Sequence, residues 1–319
     1  MKYQIVLVFL AICFSSSNFY GQSELPRIIV STDIGGDDPD DFQSMVHLLI
    51  YADKFDIQGL ISSPPSIGRK KDILEAIDAY EKDFEALQKH SKNYVAPEIL
   101  RNRTKQGALD PQTHEIPQEV SEGAKYIIEK AMENETSPLW ILVWGSITDV
   151  AQAVHQNPDI KKRIRVYSIG SWNTRQDPKA RDYLYKNHDD LWWIENDHTF
   201  RGMYQGGYQD DTYGNISFVS TAIKNHGALG NLFYQKKKDI KMGDTPSVLY
   251  FLSGDINDPS DSSWGGSFIK NSHGSNYWVD NPVDSLKTGN HIGAKTVSKH
   301  RKLFLDDWKK RMLSLTDNP

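Results

Sequence analysis

Apolar residues in this chain follow two rhythms. Short runs rich in β-branched and aliphatic residues fall at 28–32 (IIVST), 55–62 (FDIQGLIS), 139–143 (LWILV), 165–169 and 191–194, and each reads as a buried strand. Between them, apolar positions recur at helical spacing. Phe42, Met45, Val46 and Leu49 follow the first run, and Ile73, Ala76, Ile77, Tyr80 and Phe84 mark a helix over 72–89. Ser121 opens another helix, with Tyr126, Ile127 and Ala131 inward. Two more helices are predicted, one starting over 148–156 and one running from Pro178 to 185, while 101–117 and 170–178 read as loops.

Strand and helix patterns alternate from residue 27 to about 195. This predicts an α/β fold with a mostly parallel, Rossmann-like sheet covered by helices on both faces. Past Gly206 the pattern loosens. Residues 242–252 read as a turn and a helix, and 255–290, rich in Gly, Ser, Asn and Asp, as ordered loops over the ligand edge. Residues 296–313 form a closing helix that buries Phe304, Leu305 and Trp308. With no repeat or low-complexity linker, residues 23–319 make one domain with a loop-rich C-terminal part.

Residues 1–22 carry Lys2, an apolar run over 5–13 and small residues at Ser15, Ser16, Ser17 and Gly21, the pattern of a secretory signal peptide. The expectation is export, to the periplasm or beyond. The single cysteine, Cys13, lies inside that segment, so the remaining chain has no disulfide, no cysteine nucleophile and no thiolate metal site. No other apolar run is long enough to span a membrane. A net charge of −5 without a long basic block argues against nucleic-acid binding. Eight tryptophans and fifteen tyrosines supply the core by default, and exposed ones can stack on sugar rings.

The chemistry concentrates in Arg27–Tyr51. The first strand delivers Asp33 to its carboxyl end, where open α/β sheets bind ligands. Asp37, Asp38, Asp40 and Asp41 follow within eight residues. Part of this cluster suits a helix start: Asp38 as N-cap, Pro39 as first helical residue, and Asp40 and Asp41 at the positive end of the dipole. Asp33 needs another explanation. Like charges packed this closely call for a cation, and an all-oxygen site suits a hard ion such as Ca²⁺ or Mg²⁺.

The run Asp33-Ile34-Gly35 to Asp40-Asp41 resembles the Asp-Pro-Gly-x-Asp-Asp signature of nucleoside hydrolases. Gly145-Ser146-Ile147-Thr148-Asp149 is similar to that family's Gly-Pro-Leu-Thr-Asn turn, and Gly243-Asp244-Thr245-Pro246 stands where it has His-Asp-Pro. The match is closer to a nucleoside hydrolase-like family linked to cellulose-binding proteins, through Thr32–Asp41, Trp144-Gly145, Gly243–Ser247 and Trp264-Gly265-Gly266.

The resemblance implies a nucleoside hydrolase-like fold that binds Ca²⁺ through Asp33, Asp41, Asp244 and the backbone carbonyl of Thr148. It implies Asp33 as general base and Asp40 as a hydrogen-bond partner of sugar hydroxyls. There are three departures. Ser31 replaces an aspartate, the turn between Asp33 and Asp40 is longer, and Gly243 stands where many nucleoside hydrolases carry a histidine acid. The longer turn leaves Asp37-Asp38 open as the alternative metal pair. Asn173, Glu195 and Asn196 are the candidates for ribose-type contacts, His198 for an acid or substrate contact, and Trp264 for a sugar platform; for His198 and Trp264 the plain alternatives are a loop histidine and a turn packed on the core.

Two functions follow. One is an exported, calcium-dependent hydrolase of N- or O-glycosidic bonds, acting on sugar fragments from polysaccharide degradation. The other is a non-catalytic, calcium-dependent carbohydrate-binding protein. The expected partner is a small sugar, glycoside or oligosaccharide, and oligomer formation is compatible with the sequence.

Overall fold

The computed structural model describes residues 25–36, 38–65, 67–133 and 136–315. The expected signal peptide at 1–22 and Asp37 lie outside the described residues. Eight strands form one sheet: β1 (Arg27–Thr32), β2 (Asp56–Ser62), β3 (Thr104–Gln106), β4 (Leu139–Val143), β5 (Ile164–Ile169), β6 (Trp193–Asn196), β7 (Phe268–Lys270) and β8 (Tyr277–Asp280). Their spatial order is β3-β2-β1-β4-β5-β6-β8-β7, parallel throughout except for the β7–β8 pair. The helices are α1 (Asp40–Ile50), α2 (Lys70–His90), α3 (Pro97–Asn102), α4 (Glu122–Met132), α5 (Thr148–Gln156), α6 (Trp172–Gln176), α7 (Pro178–Asn187), α8 (Asn215–Phe218), α9 (Gly227–Lys236), α10 (Thr245–Leu249), α11 (Lys295–Ser298) and α12 (Arg301–Leu313).

β1 is buried along its whole length, which is why it reads as a continuous apolar run. Its alternate side chains enter different cores. Ile28 and Val30 join Trp140 and Leu142 against α1, α2, α9 and α12, while Ile29 joins Ile141 and Val143 against α4, α5 and α7. Helices therefore cover both faces, as expected. From β1 the chain winds outward through β2 to β3, then returns to β4 on the other side of β1. The ends of β1 and β4 thus flank the point where strand order reverses, and a crevice opens there.

Four local expectations are corrected. The polar stretch 101–117 contains β3, which hydrogen-bonds to β2 although its sequence, TKQ, has no apolar residue. The stretch 170–178 contains the short helix α6. The glycine-rich stretch 255–290 folds an antiparallel pair, β7–β8, onto the open side of β6. The closing helix is split into α11 and α12 at Lys299 and His300. Among the described residues, no helix is long and apolar enough to cross a membrane.

Candidate functional site

The crevice at the switch point is a cavity of about 510 Å³, within the range of small-molecule sites. Its floor is acidic. Asp33 follows the last residue of β1, Asp40 and Asp41 open α1, and Asp244 precedes α10; all four line the cavity.

Local contacts explain this convergence. Gly35, at φ +90°, turns the chain after Asp33, and Gly36 N–H closes the turn on the Asp33 carbonyl at 3.1 Å. Thr32 Oγ1 donates to Asp41 and accepts the Ile34 N–H at 3.1 Å, joining the strand end to the first turn of α1. Ser44 of α1 donates to Asp244 Oδ2 at 3.4 Å, bringing the third segment in. Gly145, just past β4, lets that strand end close on Asp33. A Cβ there would stand 2.9 Å from the Asp33 backbone nitrogen.

The helix start differs from expectation. Pro39, not Asp38, occupies the N-cap position of α1, and no side chain caps it. Asp38 instead forms an ion pair with Lys241. Asp41 stands within hydrogen-bond reach of Asp33.

The floor is electrostatically strained. Burial, then the Asp244 charge, pushes the Asp33 carboxyl up to about 8. Burial raises Asp40 to about 6. Asp41 and Asp244 lie well above the carboxylate range, first through burial and then through neighbouring aspartates. A shift like that of Asp33 corresponds to about 6 kcal/mol against the charged form. Two lysines act on the floor without forming an ion pair with it: Lys241, paired with Asp38, feels the Asp244 charge, and Lys237, paired with Asp239, lowers Asp40 against its burial. Among the described residues, no three His, Cys, Asp or Glu side chains are gathered into ready coordination geometry. The donor chemistry still fits a hard divalent cation: four buried or half-buried carboxyl groups, oxygen donors only, with no ion-pair partner among the described residues.

The walls are aromatic and polar. Trp144, Trp172, Phe200 and Tyr204 line the cavity together with Ser171, Asn173, Gln176 and Arg201. Trp172 is 61% exposed. Asn173 Nδ2 donates to the carbonyls of Trp144 (2.9 Å) and Ile169 (3.1 Å), fixing the rim.

Several expected contacts are not among the residues that line this cavity. Glu195 is buried in a two-pronged ion pair with Arg181 (2.9 and 2.7 Å) and accepts from the Tyr277 hydroxyl. Asn196 donates to the Tyr167 hydroxyl at 3.0 Å and accepts the Phe200 N–H at 2.8 Å. His198 faces His291, ring centroids 6.1 Å apart, and its backbone N–H binds Asp280. Trp264 packs against the core. Its neighbour Gly265 lies so close to α10 that a Cβ would stand 2.1 Å from the Pro246 carbonyl oxygen, so this loop braces α10. Thr148 opens α5 on the side facing residues 108–121, its hydroxyl donated to Asp177 at 2.8 Å. Trp144 and Gly145, rather than Thr148, border Asp33.

Gly243 lines the cavity, but a Cβ there would stand 3.1 Å from the Phe200 ring. Phe200 crowds the space a longer side chain would need, and no histidine is among the lining residues.

Sequence reasoning missed Trp172, Phe200, Arg201, Tyr204 and Lys241. Their only signal is position, since Trp172, Phe200 and Arg201 lie just past β5 and β6, at the carboxyl edge.

Solved structures share this architecture. A nucleoside hydrolase-related protein from Saccharophagus degradans, described as associated with carbohydrate metabolism, superposes with a TM-score of 0.74 at 23% identity, over 93% of this chain and 73% of that one. The inosine-uridine preferring nucleoside hydrolase from Bacillus anthracis gives 0.52 at 14% identity, over 91% and 100%. The type III effector XopQ, solved with adenosine diphosphate ribose, gives 0.55 at 11% identity, over 92% and 94%. At these identities the likeness establishes the fold alone. No curated protein matches the chain. A family profile does match, over residues 27–268, and those residues contain all four floor aspartates. The chain therefore belongs to the family described as cellulose-binding Sde182, nucleoside hydrolase-like domain.

Proposed function

We propose that this chain is an exported hydrolase of N- or O-glycosidic bonds that requires Ca²⁺ and acts on sugar fragments from polysaccharide breakdown. One observation carries the reading: four aspartates, Asp41 and Asp244 buried and Asp33 and Asp40 half-buried, meet at the switch point from three segments without ion-pair partners among the described residues. The association of the Saccharophagus degradans protein with carbohydrate metabolism supports a sugar over a free nucleoside.

Asp33, Asp41 and Asp244 would hold the cation. When bound, it supplies a positive charge that neutralises the floor and acidifies nearby water. Asp33 is then the base that takes the proton from the attacking water, and Asp40 accepts hydrogen bonds from sugar hydroxyls. The negative floor favours positive charge developing on the sugar carbon. Trp172 and Phe200 offer flat faces to the rest of the ligand.

The second reading is a calcium-dependent sugar-binding protein without turnover. The histidine-free wall and the filled space beside Gly243 favour it, because no evident acid serves the leaving group. One assay set separates the two. Nucleosides, aryl glycosides and plant or algal oligosaccharides are tested with and without chelator. Chelator-sensitive release that disappears in Asp33→Ala supports the hydrolase. Calcium-dependent binding without release on any member supports the binding protein. If no divalent ion copurifies and chelator leaves the melting temperature unchanged, both readings fall.

A further inference from the structure

The cavity is bipolar. Besides the acidic floor it is lined by Arg201, which forms no ion pair among the described residues. Its guanidinium is held in place. Nη1 donates to the Asp197 carbonyl at 2.7 Å, Nη2 donates to Ser171 Oγ at 2.8 Å, and the plane lies over the Phe200 ring, 4.4 Å from its centroid. A guanidinium has more N–H donors than these two bonds use.

The support is itself unusual. Ser171 has φ +60°, a conformation costly for a non-glycine residue, and its N–H is held by Asp197 Oδ1 at 2.6 Å. The neighbouring acids are committed elsewhere. Asp280 accepts the backbone N–H groups of Asp197, His198 and Thr199. Tyr204, which lines the same cavity, feels both the Arg201 charge and those of Asp40 and Asp244.

We propose that Arg201 recognises an oxyanion on the sugar ligand, so that the preferred substrate is an acidic saccharide carrying a carboxylate or a phosphate ester. This rests on the glycoside-site reading above. A fixed, unpaired guanidinium at a cavity wall suits planar or tetrahedral oxyanions, which accept paired N–H bonds. The acidic floor repels the same group and so sets the direction in which the ligand enters.

Matched probes test this on the full chain in calcium: glucose, glucuronate and glucose 6-phosphate, with ribose and ribose 5-phosphate. Binding is read by calorimetry and tryptophan fluorescence. At low ionic strength at least one acidic probe is expected to bind about tenfold more tightly than its neutral parent, with a margin that shrinks as salt rises. The uronate and phosphate arms identify which oxyanion is read. In Arg201→Gln the acidic-to-neutral affinity ratio falls to about one, whereas Arg201→Lys keeps part of it. Ser171→Ala, which keeps the guanidinium and its bond to the Asp197 carbonyl but removes its second anchor, retains part of the preference. The salt dependence is measured on the unmodified protein, so it holds even if Arg201→Gln folds poorly. Equal binding of acidic and neutral probes, or a preference that survives in Arg201→Gln, overturns the inference and leaves the sugar site standing. If no probe of either kind binds, the sugar site falls with it.

Discussion

The indole Nε1 of Trp144 donates to Ser247 Oγ at 2.7 Å, across 103 residues of sequence. Ser247 Oγ in turn donates to the Asp244 carbonyl at 2.6 Å. The end of β4 is thus tied to the segment that brings Asp244 to the floor. This gives the Trp144-Gly145 and Gly243–Ser247 stretches a shared physical purpose. Ser247→Ala leaves a buried indole N–H unpaired and should cost about 1–3 kcal/mol. Trp144→Phe keeps an aromatic ring but loses the bond and part of a buried side chain, at about 1–3 kcal/mol. Both should also reduce the rise in melting temperature produced by calcium, measured by calorimetric titration.

The floor sets a pH dependence whose sign is opposite to ordinary acid denaturation. Asp33 titrates near 8 folded and near 3.8 unfolded, so between those values the folded chain binds more protons. Without a divalent cation, its contribution to stability is complete below 3.8 and is lost as pH rises through 8. Melting of chelated protein should therefore show a downward trend through that window. Asp33→Asn should lessen the trend by up to about 1.4 kcal/mol per pH unit and raise the midpoint at pH about 8. Calcium should stabilise the unmodified protein more at pH about 8 than at pH about 5. At a concentration one hundred times Kd the gain is about 2.7 kcal/mol.

His47 sets the acid side. It is buried in α1, stacked on Tyr51 at 4.6 Å and edge-on to Trp308 at 5.2 Å. Burial, then the Arg311 charge, lowers it to about 3. The unfolded chain binds this proton first, so stability is lost as pH falls from about 6.5 toward 3. His47→Phe retains a ring and should flatten the acid limb of a stability–pH curve by up to about 1.4 kcal/mol per pH unit. An unchanged acid limb would place the sensitivity elsewhere.

Trp172 offers a separation of binding from folding. It lines the cavity yet is largely exposed, and among the described residues its one ring contact is the Arg175 guanidinium at 5.6 Å. Trp172→Ala should weaken sugar binding about fivefold to tenfold, equivalent to about 1 kcal/mol. Stability should move by less than about 0.5 kcal/mol.

How much of this was legible in the sequence follows from what each element buries. β1, β2, β4 and β5 are enclosed on both faces, so their composition announces them. β3 and β7 lie at the edges, and their backbone pairing leaves no periodic trace in three residues. The acidic floor was legible because Asp40 and Asp41 are consecutive and Asp33 follows a strand. Glu195 and Asn196 were candidates because the resemblance calls for a glutamate and an asparagine at the sugar, but Arg181 and Tyr167 engage their side chains instead. Arg201 had no local signal, since what distinguishes it is the lack of an ion-pair partner, which only the fold determines.

The two outermost strands, Thr104–Gln106 and Phe268–Lys270, are each three residues long, and each carries a lysine, Lys105 or Lys270. Short, charged borders give an incoming strand little backbone to pair with and a desolvation cost on approach. Continuation of the sheet from one molecule into the next is therefore discouraged at both ends. Any self-association would have to run through side chains on the helical layers, and the parallel centre is shielded from the amyloid-type stacking that its β-branched runs would otherwise invite.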